Sequence, residues 1–109
     1  MKYRKPQLRE EETYMLYIVG IAGNQFFPSR GRTYSGSLEQ IKSTLRDKDD
    51  YDDEMIESLF EGLFGVEPDE DGVRVFAPDG DVAYALAKGG TNKRIVAGAV
   101  GDVVQGSDQ

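Results

Sequence analysis

The chain has 109 residues and a mass of 12.1 kDa, with 39% hydrophobic and 10% aromatic residues. That fits one domain, residues 1–109, able to bury roughly 65% of the surface its unfolded form exposes. Cysteine, histidine and tryptophan are absent and the net charge is −7, which excludes Cys/His zinc sites, thiol nucleophiles, disulfides and any mechanism built on an imidazole proton shuttle.

The basic start, Met1 to Lys5, is followed by Pro6 and three glutamates rather than by an apolar core, and no run of 18 apolar residues occurs anywhere. A soluble, cytoplasmic protein with no membrane association is expected. Residues 1–9 and 105–109 read as loose termini.

From Tyr14 to Ala22 the chain is almost entirely apolar and rich in β-branched and aromatic residues. This is the core segment. Its length and propensity suit a buried strand, while the acids before it and Gly23-Asn24 after it suit a short buried helix. Residues 25–36, with Phe26-Phe27-Pro28 and Arg30-Gly31-Arg32, read as a loop.

Ser37 and Gln40 make a capping box ahead of Leu38, Ile41 and Leu45, which predicts a helix over 37–46. Met55, Ile56, Leu59, Phe60, Leu63 and Phe64 then recur at helical spacing and predict a second helix over 53–64, with aspartates at its positive end and Gly65 at its stop. All but Leu63 among these six, Met55 and Phe64 included, are assigned to the core by that spacing. Glu67 to Gly72 is a turn. Two apolar runs, 73–77 and 82–87, flank Pro78-Asp79-Gly80-Asp81 and predict a β-hairpin. Ile95, Val96, Ala99, Val100, Val103 and Val104 again follow helical spacing, but Gly98, Gly101 and the many valines leave a strand as the rival for residues 93–104.

The fold class is therefore α+β. From residue 34 onward the order of elements resembles the winged-helix family, with Tyr34 as the short strand, 37–46 and 53–64 as the helix pair and 73–87 as the wing. The alternative is a β-α-α-β-β-β arrangement with helices packed on a small antiparallel sheet. In winged helices that bind DNA the second helix reads the bases. Here it carries Glu54, Glu57 and Glu61, and the wing tip adds Asp79 and Asp81, which repel a phosphate backbone.

The charge is unevenly placed. Residues 1–46 hold eight Lys/Arg against four Glu, whereas residues 47–71 hold twelve acids against Lys48 alone. Such a concentration reads either as a solvated face, as in salt-adapted proteins, or as a docking surface for a basic protein partner. Asp50, Glu54, Glu57 and Glu61 would form one stripe if the second helix reached back to residue 50, and Asp53 lies beside it. This pattern resembles the DNA-mimic inhibitors of restriction and CRISPR systems, which implies a non-enzymatic inhibitor that occupies a partner's basic groove.

A DNA-binding regulator is the second reading, with Arg4, Lys5, Arg30 and Arg32 touching phosphates. A third is a small structural subunit of a viral particle or multiprotein assembly, pairing with its own copies through the apolar C-terminal segment. Asp50, Asp52, Glu54, Ser58 and Glu61 count like a calcium loop, but Met55 stands where that loop needs glycine, so neither a metal nor another cofactor is expected. Lys88-Gly89-Gly90-Thr91 lacks the spacing of a phosphate-binding loop.

Overall fold

A computed structural model describes residues 12–106. Strand β1, Tyr14–Ala22, turns into the two-residue β2, Gln25–Phe26, and a 3-10 turn at Pro28–Arg30 leads into β3, Arg32–Gly36. Two helices follow, α1 at Leu38–Lys48 and α2 at Asp53–Gly65. The hairpin β4, Arg74–Phe76, and β5, Val82–Lys88, then leads to α3, Lys93–Gly106. The described residues form an α+β domain, with three α-helices and an antiparallel sheet.

β1 is a strand because both its faces are needed. It lies in the middle of the sheet, between β5 on one side and β2 with β3 on the other. Side chains alternate across a strand, so Met15, Tyr17 and Val19 point to the α3 side while Leu16 and Ile18 point to α1 and α2. β5 alternates in the same register. Ala83, Ala85 and Ala87 stand opposite Val19, Tyr17 and Met15, and the small methyls let α3 settle closely through Val96, Ala99, Val100 and Val104. On the other face Leu16 meets Leu86, beneath Ile41, Leu45, Ile56, Leu59, Phe60 and Leu63. The protein is thus a three-layer sandwich with a separate apolar core on each side of the sheet.

Both helix starts form as their sequences dictate. Ser37 accepts the Gln40 amide at 3.2 Å while the Gln40 side chain accepts the Ser37 amide at 2.9 Å. Asp52 caps α2 by accepting the Met55 amide at 2.8 Å. The hairpin is in place, with Arg74, Val75 and Phe76 opposite Leu86, Ala85 and Tyr84, and Gly80 takes a φ of +77° in the turn. Arg74 ties it to α2: its Nη1 donates to the Val66 carbonyl at 2.6 Å, and its guanidinium lies over the Phe64 ring.

Several expectations change. Residues 25–36 are not a plain loop: β2 and β3 run along one edge of β1, interrupted where Pro28 supplies no amide proton, a lapse that an edge strand tolerates. Where a winged helix has its first helix, this chain has β1, and β1 separates β3 from β5. Residues 93–104 are helical, because only a helix lets Val96, Val100 and Val104 share the face that covers the alanines of β5. Gln105 and Gly106 close that helix, while residues 1–9 and 107–109 lie outside the described residues. The apolar stripe of α2 spans about half the helix circumference at about 100° per residue. Ile56, Leu59, Phe60 and Leu63 fill its middle and are buried, whereas Met55 and Phe64 sit at its opposite edges and are 49% and 46% exposed.

Two helix glycines make opposite predictions. Gly98 is exposed with open space beside it, so Gly98→Ala should stabilise the protein by about 0.5–1 kcal/mol through helix propensity. A Cβ at Gly62 would overlap the tip of the Phe76 ring, so Gly62→Ala should lose that gain and destabilise by about 1–3 kcal/mol. Urea midpoints moving in opposite directions are the expected result.

Candidate functional site

The first turn of α2 concentrates negative charge where the helix dipole favours it, with Asp52 at the cap and Asp53 and Glu54 behind it. Beyond that turn the acids have no helix-forming task. Glu54, Glu57 and Glu61 fall within an arc of about 60° on the side of the helix turned away from the buried residues, and extend about 10 Å along the axis. All three are exposed, and among the described residues none of them makes an ion pair or a side-chain hydrogen bond.

The other two expected members stand apart. Asp53 is held by Arg46, whose Nε donates to its carboxylate at 2.9 Å. Asp50 has a φ of +60° in the connection between the helices, so α2 does not reach back to it and the stripe begins at Glu54. The calcium-loop count fails for the same reason: from Asp53 to Gly65 the backbone is helix.

Beside this face lies a groove of about 410 Å³ between the start of α2 and the β4–β5 turn. Glu54 and Met55 form one wall, Phe76 and Pro78 the other, and Tyr51 and Tyr84 meet inside it with their hydroxyls 2.9 Å apart. Burial holds the Tyr84 phenol well above its usual range, helped by the hydrogen bond to Tyr51 and by the negative charge of Asp79. Tyr17 and Tyr34 are also raised, both chiefly by burial. The sequence pattern pointed to Glu54 but not to this groove. Its walls come from three separate segments, and the one local signal was Met55 at the edge of its apolar stripe.

The arginines of the second reading are placed differently from one another. Arg30 is exposed and lies over the Phe27 ring at 5.5 Å from its centroid, next to a smaller hollow formed by the β1–β2 turn. Arg32 Nη1 donates to Asp49 at 2.9 Å, and the same carboxylate accepts the Tyr34 hydroxyl at 2.9 Å. With its side chain only 7% exposed, Asp49 keeps Arg32 on the protein. Arg4 and Lys5 lie outside the described residues. Among the described residues no helix is long and apolar enough to cross a membrane.

Tyr84 gives a pH dependence whose sign follows from its burial. A phenol whose pKa is raised by folding favours the folded state while it is protonated, and that contribution fades as pH rises past about 10, where the unfolded tyrosine ionises. The wild type should lose stability between pH about 9 and about 12. Tyr84→Phe should be about 0.5–1.5 kcal/mol less stable near neutral pH, from the lost hydrogen bond, and should lose less on the alkaline side. Denaturant midpoints across that range are the measurement. No protein family, no curated protein and no solved structure matches this chain.

Proposed function

We propose that this protein is a non-enzymatic binding module that docks a basic protein surface through the outer face of α2, its carboxylates standing in for the phosphates of a nucleic acid. The observation that carries the reading is the row Glu54, Glu57 and Glu61, exposed and without partners among the described residues. Four other acids nearby are occupied, Asp49 by Arg32 and Tyr34, Asp52 by the helix cap, Asp53 by Arg46 and Asp69 by the amides of Asp71 and Val73, while Asp47 and Asp50 are exposed in or beside the helix connection and not on the outer face of α2. Glu57 and Glu61 serve no contact of the fold among the described residues, and Glu54 adds a favourable first-turn charge to its place in the row.

Preorganisation supports the same reading. Ile56, Leu59, Phe60 and Leu63 fix the opposite face of α2 in the core, so the row is presented on a rigid rod and little ordering entropy is lost when a partner binds. Attraction between the row and a basic surface speeds encounter and is weakened by salt.

Changing Glu54, Glu57 and Glu61 together to lysine tests it. Each exposed substitution should alter stability by less than about 0.5 kcal/mol, with up to about 1 kcal/mol more at Glu54 from the helix dipole. The variant should fold and lose the basic proteins that the wild type retains in a pull-down, and raising salt from about 50 to about 500 mM should release them from the wild type. Arg30→Glu is the control and should change nothing; Arg32 is unsuitable because reversal would set a second carboxylate against that of the largely covered Asp49 side chain. Retention of duplex DNA, lost in Arg30→Glu and kept in the triple variant, would replace this reading with the DNA-binding one.

A further inference from the structure

We propose that the groove beside α2 is the anchor pocket of that docking surface, and that its occupant is a segment of a partner protein in which one large apolar side chain is flanked by Lys or Arg. This rests on the function proposed above. The groove is open to solvent along one side, and its volume of about 410 Å³ is in the size range of ligand clefts. Its interior is apolar where an anchor needs it: Leu59 lies at its base, Phe76 and Pro78 on one wall, and Met55 is half exposed on the other. Methionine adapts its shape to what it meets.

The rim selects the flanking residues. Glu54 belongs both to the groove and to the acidic row, so the two features are one continuous surface. Asp79 is exposed and follows Pro78 of the opposite wall in the chain; its charge and, more weakly, that of the Asp49-bound Arg32 reach the Tyr84 hydroxyl, and among the described residues no Lys or Arg lines the groove. A partner group entering there passes the Glu54 carboxylate, with Asp79 next to Pro78 in the chain, which favours cations beside the anchor. Interfaces of this kind place an apolar anchor in a pocket with charges at its edge.

The tyrosine pair supplies a directional contact. Two hydroxyls carry two protons, and the bond between Tyr51 and Tyr84 uses one of them. The other is available to a backbone carbonyl of the incoming segment. A small cation would satisfy the groove but not the charge that runs on to Glu61, about 10 Å farther along α2. A nucleic acid is repelled by the same charge. A peptide segment matches both the pocket and the row.

The test pans a random-peptide display library on the full-length protein at about 50 mM salt and measures the enriched peptides by fluorescence anisotropy. The expected peptides share one large apolar residue with Lys or Arg beside it. Two variants separate pocket from charge. Ser58→Trp fills the groove from an exposed position that lines it and leaves the charge unaltered. Glu54→Gln, Glu57→Gln and Glu61→Gln together remove the charge and leave the groove open. Each should weaken binding about tenfold or more while circular dichroism stays that of the wild type, and Met55→Ala should weaken it less. Basic peptides without an apolar anchor, unaffected by Ser58→Trp, would overturn the pocket and leave the charged docking face standing. Peptides unaffected by the glutamine variant would overturn both. A failure to enrich any peptide would overturn the pocket.

Discussion

Strand β1 has no solvent face between Met15 and Val19, so the sheet through it has to carry a helix layer on each side. Everything downstream answers to that requirement. The α3 side is built thin, with three alanines of β5 set against the larger residues of β1, and valines rather than leucines on the helix. The other side is built thick, with leucine against leucine and two helices closing over them. A net cost attaches to leaving either face bare, since each large apolar side chain contributes about 1.5–3 kcal/mol when buried.

The same asymmetry creates the candidate site. α1 and α2 share one face of the sheet, and α2 ends its contact at the hairpin, where Phe76 lies on Gly62 and Arg74 binds the last carbonyls of the helix. Farther toward its N-terminus the helix and the β4–β5 turn are no longer in full contact, and the groove opens between them. Tyr51 and Tyr84 reach toward each other there and satisfy part of each other's hydrogen bonding in a half-buried place. The groove is a product of how the layers meet, and the acidic row is a product of which face of α2 remains in water.

Acidity serves two purposes in this molecule. Asp49, Asp52, Asp53 and Asp69 each hold a particular backbone or side-chain donor and stabilise a cap, a turn or a helix connection. Glu54, Glu57 and Glu61 hold nothing among the described residues. A count of charge along the chain could not divide these groups, because Asp53 and Glu54 are adjacent in sequence and differ only in that Arg46 reaches one of them. The chain's strong negative charge is in this sense part scaffold and part surface.

Local chemistry determined a great deal by itself. The capping box at Ser37, the helical spacing from Ile56 to Leu63 and the Pro-Asp-Gly turn each specify their element through contacts within a few residues. The exposure of Glu54, Glu57 and Glu61 follows from the same spacing, since a helix with one apolar face turns the other to water. Only the tertiary structure decided the rest. An apolar run such as Tyr14–Ala22 carries no periodicity, and it becomes a strand because β3 and β5 pair with it on both sides. Residues 93–104 become a helix because the alanines of β5 leave a face for one. Met55 and Phe64 fit the stripe yet stay half exposed, because the width of a buried face is set by what packs against it. The groove, joining Tyr51, Met55, Phe76 and Tyr84, depends on contacts across up to 33 positions of the chain, and distance along a sequence says nothing about which side chains will meet.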